Sequence, residues 1–326
     1  MVSFFKDKST ASVFGIVFFS IVTRSSFLTD KPAVYSNPKE GAIQYLLTPL
    51  QNTGSILLII LFHSLVVVQA LRLNYALNDS RMMPRPTFTT ALAYVLLTAL
   101  VPQWNSINGA LIVNSFLIAI LFLVIKLSAS HHPLRLIYNI GFLCGLSGIL
   151  YFPSIPIVIA IYFALAFVRP FHFNEWIIML SGLLTPLYLL AGSLYLAGNL
   201  NLLTESIPEI IPHLIQPNEI LMTVITFSFA ALPVLLGIVY WQQNSAKMVI
   251  QVRSEWKFVF SLLVVLIPVV FILPGLWPIA LLLAIVPASA FVSNAFYYPR
   301  SSVLPAIIFW GLMALIIYNN WVIAKL

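Results

Sequence analysis

Charged residues are scarce in this chain, and their scarcity excludes a soluble globular protein. Only 8% of the 326 residues are charged, whereas 61% are hydrophobic. The mean hydropathy is +1.01, and apolar runs recur from one end of the chain to the other. This composition predicts a polytopic membrane protein whose fold class is an all-α transmembrane helical bundle.

Cysteine is almost absent too. The single Cys144 lies inside an apolar run, so an intramolecular disulfide and a thiolate metal site are both excluded. Dense basic runs with interleaved aromatic residues are missing, and nucleic acid is therefore not expected as a partner. The longest polar stretches, residues 25–52 and 198–219, are too short to bury cores of their own. We expect a single integral membrane domain, residues 1–326.

The apolar runs have lengths suited to membrane crossing. A hydrocarbon core about 30 Å thick needs roughly 20 apolar helical residues, and this length predicts about 11 spans. The first is short and lacks a small-x-small cleavage pattern, which favours an uncleaved anchor over a signal peptide. The predicted spans are residues 9–28, 53–71, 86–101, 108–127, 136–151, 155–168, 176–197, 220–241, 258–273, 276–296 and 303–322.

Basic residues are distributed unequally between the two sides of this bundle. With a cytoplasmic N-terminus, twelve of the 16 Lys and Arg residues lie inside, as the positive-inside rule requires. The outer side keeps Arg24, Lys31, Lys39 and Lys325. The pattern predicts a multi-pass protein of a bacterial inner membrane, surrounded by membrane lipids, with its C-terminus outside.

Charges are missing from the middle of every predicted span, and this disfavours ion-driven transport. The nearest candidate is His63, which we expect to be neutral and hydrogen-bonded to a neighbouring helix. The five histidines are scattered along the chain, so a membrane iron oxygenase with several histidine ligands at one depth is also excluded.

The first outer loop, residues 25–52, holds the chemistry-bearing side chains of the sequence together with Arg24 just before it. Asp30 and Glu40 are candidate catalytic residues, while Arg24, Lys31 and Lys39 could bind a phosphate. We expect both carboxyl side chains to face solvent. No cofactor is indicated, although such carboxylates could hold a divalent metal. An ordinary solvated loop is the competing interpretation, because ten residues separate the two carboxylates.

Trp104 and Asn105 lie in the turn between the third and fourth predicted spans. They could bind substrate at the mouth of an outward cavity, and we expect the first outer loop to fold over the turn and cap that cavity. A tryptophan in the interfacial aromatic belt is the alternative interpretation.

Four stretches in the middle third of the chain carry a resemblance: residues 138–153, 169–171, 175–176 and 182–186. They resemble an uncharacterised family of bacterial multi-pass envelope membrane proteins. Within them, the pattern G-x-x-x-G-L-x-x-x-L-x-x-P at residues 141–153 is similar to a span pair of the GT-C membrane glycosyltransferases.

The second resemblance implies a reaction at the outer face. GT-C enzymes transfer sugars from polyprenyl-phosphate carriers and keep a catalytic acidic residue in their first outer loop, which Asp30 and Glu40 occupy here. The usual adjacent acidic pair is absent, because Lys31 follows Asp30 and Gly41 follows Glu40. The resemblance favours GT-C-like glycosyl transfer from a polyprenyl-phosphate carrier. The alternative is a non-catalytic membrane subunit of a cell-envelope assembly or secretion complex, with other membrane proteins as partners.

Overall fold

The computed structural model describes residues 2–7, 9–29, 31–35, 40–128, 130, 132–169, 171–199, 217–268 and 278–321. Within these ranges the regular structure is helical, and no β-strand is present. This confirms the all-α fold class.

Helices of ten or more residues in the described ranges correspond one to one with the predicted spans. In chain order they are α1 (Thr10–Val22), α2 (Ser55–Asp79), α3 (Thr89–Thr98), α4 (Gly109–Ser128), α5 (Pro133–Leu150), α6 (Ile157–Val168), α7 (Phe173–Leu196), α8 (Pro217–Ser245), α9 (Ile250–Leu266), α10 (Ile285–Tyr297) and α11 (Val303–Trp321). A 3₁₀ segment, Ile279–Ala284, leads directly into α10.

Seven of these segments are long and apolar enough to cross a membrane: α2, α4, α5, α7, α8, α10 with its 3₁₀ segment, and α11. This supports the multi-pass prediction. The remaining four, α1, α3, α6 and α9, have 13, 10, 12 and 17 residues. At a rise of 1.5 Å per residue, α3 covers only about 15 Å, half of a bilayer core.

Local sequence explains the bounds of α1. The helix begins where the Ser9 hydroxyl oxygen accepts a hydrogen bond from the Ser12 N–H at 3.2 Å. At its other end, the Thr23 hydroxyl donates to the carbonyl of Phe19 at 2.7 Å. A 3₁₀ turn, Ser25–Leu28, follows. The helix therefore ends at Val22, well before the predicted boundary at residue 28.

Two elements form the centre of the bundle. Every residue of α3 is buried. Of an 18-residue apolar stretch in the segment Ile279–Tyr297, 89% is buried. The equivalent 18-residue stretches of α7 and α8 are only 17% and 22% buried. Apolar side chains such as Tyr188 and Leu196 on α7 therefore remain exposed, as suits helices that face lipid.

Polar side chains tie the central helices together. The Tyr94 hydroxyl of α3 donates to Gln69 Oε1 of α2 at 2.8 Å. Gln69 Nε2 in turn donates to Ser115 Oγ of α4 at 2.7 Å. Asn114 of α4 donates to the carbonyl of Leu282 at 3.1 Å. Such bonds hold helices together where lipid offers no polar partner.

Glycines allow α5 and α7 to approach closely. A Cβ atom on Gly141 or Gly145 would collide with the backbone of α7 at Met179 or Leu183, and one on Gly182 would collide with the carbonyl of Tyr138. The G-x-x-x-G pattern of α5 therefore serves helix packing, as small residues commonly do in membranes.

Candidate functional site

Glu40 begins a segment that is fastened to the C-terminal end of α5. The N–H groups of Ala42 and Ile43 donate to the carbonyls of Ile149 and Leu150 at 2.9 and 3.0 Å. Carbonyls in the last turn of a helix have no partner within the helix, so this segment completes the end of α5. We call this side of the bundle the Glu40 end.

Gly41 makes the close approach possible. Its φ of +123° lies in a region that favours glycine, and a Cβ atom here would lie 2.7 Å from the carbonyl oxygens of Ile149 and Leu150. The position therefore requires glycine for its backbone conformation and for space.

The Glu40 carboxyl group is completely buried, with 0% of the residue exposed. The expectation that it faces solvent is therefore wrong, because its segment is bonded against the end of α5. Neither carboxyl oxygen has a hydrogen-bond partner among the described residues. Burial disfavours the charged form and raises the pKa of Glu40 to about 8.

Tyr151, the residue that follows α5, shares this environment. It is also completely buried, and its hydroxyl has no hydrogen-bond partner in the described part of the chain. Burial raises the pKa of Tyr151 well above its ordinary value, and the nearby Glu40 and Tyr35 raise it further. Gly109, at the start of α4, leaves room for the ring, since a Cβ there would lie 2.7 Å from it.

A second part of the first outer loop contacts the turn between α3 and α4. The Tyr35 N–H donates to the Ile107 carbonyl at 3.0 Å, and the Ile107 N–H donates to the Ala33 carbonyl at 2.8 Å. The two segments form an isolated parallel β-bridge between Val34 and Ile107. The expectation that the loop folds onto this turn is confirmed. Lys31 lies exposed at the start of the same segment.

Trp104 and Asn105 are held inside the protein by this turn. Trp104 Nε1 donates to the carbonyl of Pro278 at 2.9 Å. Asn105 Nδ2 donates to Asn320 Oδ1 at 2.8 Å, and Asn320 Nδ2 donates to the carbonyl of Ala99 at 3.0 Å. These bonds connect the turn to α11 and to the segment before α10.

Trp104 also lines an apolar groove of about 530 Å³, but the groove runs between α8, α9 and α10 and does not include the first outer loop. We call it the Trp104 groove. The expectation that the first outer loop caps a cavity lined by Trp104 and Asn105 is therefore wrong, because this groove lacks the loop and Asn105 is buried and bonded to Asn320.

A second groove, of about 660 Å³, lies between α5, α6 and α7. Residues of the first outer loop line it at the Glu40 end. We call it the Tyr45 groove. Its walls are almost entirely apolar. They are formed by Ala42, Tyr45, Cys144, Gly145, Gly148, Ile149, Phe152, Ile155, Val158, Leu183, Leu187, Leu190 and Leu194.

Arg24 occupies a separate buried environment and is only 1% exposed. Its Nη2 donates to Thr98 Oγ1 at 2.8 Å, and its Nη1 donates to Thr23 Oγ1 at 3.3 Å. The guanidinium carbon lies 5.1 Å from the centre of the Phe62 ring. Its Nε has no partner, and no carboxylate pairs with Arg24 among the described residues.

His63 lies close to this arginine, on α2. Its Nδ1 is 3.0 Å from the hydroxyl of Ser20 on α1. A histidine hydrogen-bonded to a neighbouring helix is what the sequence predicted at this position.

The structure does not bring all the predicted site residues together. In the described ranges, neither a hydrogen bond nor an ion pair joins Arg24 to Glu40. Asp30 and Lys39 lie outside the described residues. The described residues also contain no cluster of three or more His, Cys, Asp or Glu side chains that could hold a metal ion.

No protein family, curated protein or solved structure matches this chain. The site must therefore be interpreted from its own geometry.

Sequence reasoning missed three residues that define this geometry. Tyr151 reads as the end of an apolar span, and Gln69 and Asn114 read as polar interruptions of two others. An amide side chain within an apolar helix was a usable signal for the last two, since such groups need partners in lipid. Tyr151 offered no local signal, because its proximity to Glu40 depends on a contact between distant segments.

Proposed function

We propose that this protein acts on a polyprenyl-phosphate-linked sugar at the outer face of a bacterial inner membrane, by GT-C-like glycosyl transfer. One observation carries the proposal. A buried carboxyl group without a hydrogen-bond partner, Glu40, lies two residues from Ala42, which lines the apolar Tyr45 groove. This combination suits a substrate with a long apolar chain and a reactive polar head.

The Tyr45 groove would bind the carrier chain. Its walls offer little polar surface, and the small side chains of α5, including Gly145 and Gly148, leave space beside α7. Each methylene removed from water contributes about 0.8 kcal/mol, but in a membrane the chain is already in an apolar medium. The groove therefore contributes position and shape more than affinity.

Glu40 would serve as the base that activates the acceptor hydroxyl. Its pKa of about 8 lies near working pH, where a carboxylate accepts a proton effectively. Tyr151 would donate a hydrogen bond to the ionised form of Glu40. Asp30 is the alternative base or metal ligand. Lys31, together with Arg24 or Lys39, would bind the carrier phosphate.

The proposed orientation follows from the charge distribution. All 11 helices cross or enter the bilayer in this arrangement, with the Glu40 end outside and the N-terminus in the cytoplasm. The shorter helices, α3 in particular, pack inside the bundle and do not need to match the bilayer thickness by themselves.

Binding of polyprenyl phosphate to the purified protein in lipid nanodiscs, measured by native mass spectrometry, tests the groove. Leu187→Trp adds bulk to the Tyr45 groove at a half-exposed position, and Leu235→Trp does the same in the Trp104 groove. We expect Leu187→Trp to weaken binding about tenfold, equivalent to about 1.4 kcal/mol. Leu235→Trp should leave binding unchanged. Equal binding by both variants would contradict the groove assignment.

Complementation of a deletion strain tests the chemistry. Loss of a general base typically lowers the rate about 10²–10⁴-fold. We therefore expect Glu40→Gln or Asp30→Asn to abolish the phenotype supported by the parent chain, while the purified variants retain polyprenyl phosphate binding. If both variants complement fully, the protein is not this enzyme.

A second candidate function is a non-catalytic membrane subunit of a cell-envelope assembly or secretion complex. The complete burial of Glu40 favours it, because an acceptor can reach the carboxyl group only after the segment that carries it opens. Purification from native membranes distinguishes the two functions. A subunit would be recovered with partner proteins in fixed proportion, whereas the enzyme would be recovered without them.

A further inference from the structure

The end of the bundle opposite Glu40 contains a cavity of about 700 Å³ whose lining includes five charged side chains. α5 separates the two ends, and its 18 residues span about 27 Å. We call this space the basic cavity. It lies between the C-terminal ends of α2 and α4 and the connection from α8 to α9. Its walls are formed by Asp79, Ser80, Arg81, Met82, Pro84, Ile125, Lys126, Asn244, Lys247, Met248, Val249, Gln251, Val252, Glu255 and Tyr298.

Three cationic side chains line the basic cavity: Arg81, Lys126 and Lys247. Arg81 and Lys247 have no carboxylate partner in an ion pair within the described residues. The Lys126 ammonium lies 4.2 Å from the centre of the Phe122 ring. These cationic groups supply the donors that a phosphate ester binds.

Arg81 has a backbone conformation that is unusual for a residue with a side chain. Its φ of +57° is the left-handed conformation, which is commonest for glycine after a helix. The N–H of Met82 donates to the carbonyl of Leu77 at 3.0 Å, so the turn closes α2. An L-residue is strained in this conformation. Glycine would form the turn more easily, but it would remove a cation from the cavity.

A buried carboxylate lies on the opposite wall. Glu255 of α9 is 1% exposed, and its Oε1 accepts a hydrogen bond from the Ser128 hydroxyl at 2.8 Å. Gln251 Nε2 donates to Ser128 Oγ at 2.7 Å and so orients that hydroxyl. Oε2 of Glu255 has no partner in the described part of the protein. An unpaired carboxylate oxygen is costly when buried, so a donor from a ligand would stabilise it.

We propose that the basic cavity binds a phosphate ester that also carries a primary ammonium group, as phosphoethanolamine does. Arg81, Lys126 and Lys247 bind the phosphate, while Glu255 and the exposed Asp79 bind the ammonium. The three basic side chains attract the phosphate, and the two carboxylates offer a further partner to a ligand that also carries an ammonium group. The ligand could be the headgroup of phosphatidylethanolamine or a free phosphoethanolamine, and both present the same chemistry.

Native mass spectrometry of the purified full chain distinguishes these ligands. The probes are phosphatidylethanolamine, phosphatidylglycerol and phosphatidylcholine in matched nanodiscs, and free phosphoethanolamine and inorganic phosphate as competitors. We expect phosphatidylethanolamine to bind about tenfold more tightly than the other two lipids, as one additional charge-assisted hydrogen bond predicts. Competition by free phosphoethanolamine at similar concentrations would identify a soluble ligand, and its failure would identify the lipid.

Three variants test the assigned contacts. Arg81→Gly removes a cation and relaxes the turn, so the fold is retained, and Lys247→Ala removes a second cation. Each should weaken binding of all phosphate probes about tenfold. Glu255→Gln keeps the oxygen bonded to Ser128 but loses the charge, so it should abolish the preference for phosphatidylethanolamine over phosphatidylglycerol. Lys257→Ala, which removes an exposed cation outside the cavity, is the matched control.

Equal binding of the three lipids by the parent chain would overturn the proposal. So would an equal effect of Lys257→Ala and Lys247→Ala, because binding would then follow net charge alone. Because Glu255→Gln could disturb packing, its thermal midpoint is measured alongside. An unchanged midpoint with retained lipid preference would also exclude Glu255 as the ammonium partner.

Discussion

At the scale of single residues, the Glu40 carboxyl group is the most consequential feature. The group has an ordinary pKa of 4.5 in the unfolded chain and about 8 in the folded protein. Between these values the folded state holds a proton that the unfolded state has lost. The stability contribution of Glu40 is therefore greatest below pH 4.5, falls as the pH rises to about 8, and is constant above it.

Glu40→Gln should remove this part of the pH dependence. A single group changes stability by at most about 1.4 kcal/mol per pH unit in the window. We expect the variant to gain stability relative to the parent chain as the pH rises from 5 to 8, measured as thermal midpoints in detergent. Asp7→Asn, at an exposed position, is the control and should keep the parent profile. Parallel profiles for parent and Glu40→Gln would show that the carboxyl group is solvated.

Gly41→Ala tests whether the segment that carries Glu40 is bonded to the C-terminal end of α5. Strained φ values cost about 1–3 kcal/mol, and the added Cβ would also approach two carbonyl oxygens at 2.7 Å. We expect a loss of at least this size, measured by thermal unfolding. Gly54→Ala, where φ is −61° and nothing lies within 4 Å of the added Cβ, should be tolerated. A tolerated Gly41→Ala would mean that this segment is not bonded to the end of α5.

At the scale of helices, packing depends on where backbones touch. α5 and α7 meet through Gly141, Gly145 and Gly182, so a single added methyl group must separate them. Gly141→Ala should lower stability by about 1–3 kcal/mol, as overpacking typically does. Gly192→Ala in α7, where the added Cβ meets nothing within 4 Å, should be neutral or stabilising because alanine favours helix.

The measurement for this pair is the thermal midpoint in detergent, combined with cross-linking by a bifunctional thiol reagent between cysteines introduced at Tyr138 and Thr185 in a Cys144→Ala background. The hydroxyls of these two residues are 3.0 Å apart. Lower cross-linking in Gly141→Ala, but not in Gly192→Ala, is expected if the helices separate. Unchanged cross-linking with normal stability would refute the close approach.

At the scale of the whole molecule, the two ends differ in charge, and this predicts the orientation. Gln51, exposed just before α2, lies at the Glu40 end, whereas Ser301, exposed just before α11, lies at the basic end. In a Cys144→Ala background, Gln51→Cys should react with an impermeant thiol reagent in intact cells. Ser301→Cys should react only after the cells are permeabilised. The reverse pattern would invert the proposed topology.

The positions of the helices along the chain were largely predictable from the sequence, but their lengths were predicted less well. Helix positions follow from hydropathy, because a chain in lipid must satisfy its backbone polar groups within each segment. The bounds of α4 and α11 therefore lie within one residue of the predicted spans, whereas α2 continues to Asp79, eight residues beyond its predicted end. The short length of α3 was not predicted, since its burial depends on the helices around it and not on its own composition.

What the sequence determined by itself is the class of molecule: a helical membrane bundle with one basic end and a loop, residues 25–52, rich in candidate polar residues. Tertiary structure alone decided that Glu40 is buried beside Tyr151, that Arg24 lies apart from it, and that Asn105 is bonded to Asn320. Hydropathy is a local property of consecutive residues. The partners and burial of a polar side chain depend instead on segments up to hundreds of residues away, and no pattern within its own segment records them.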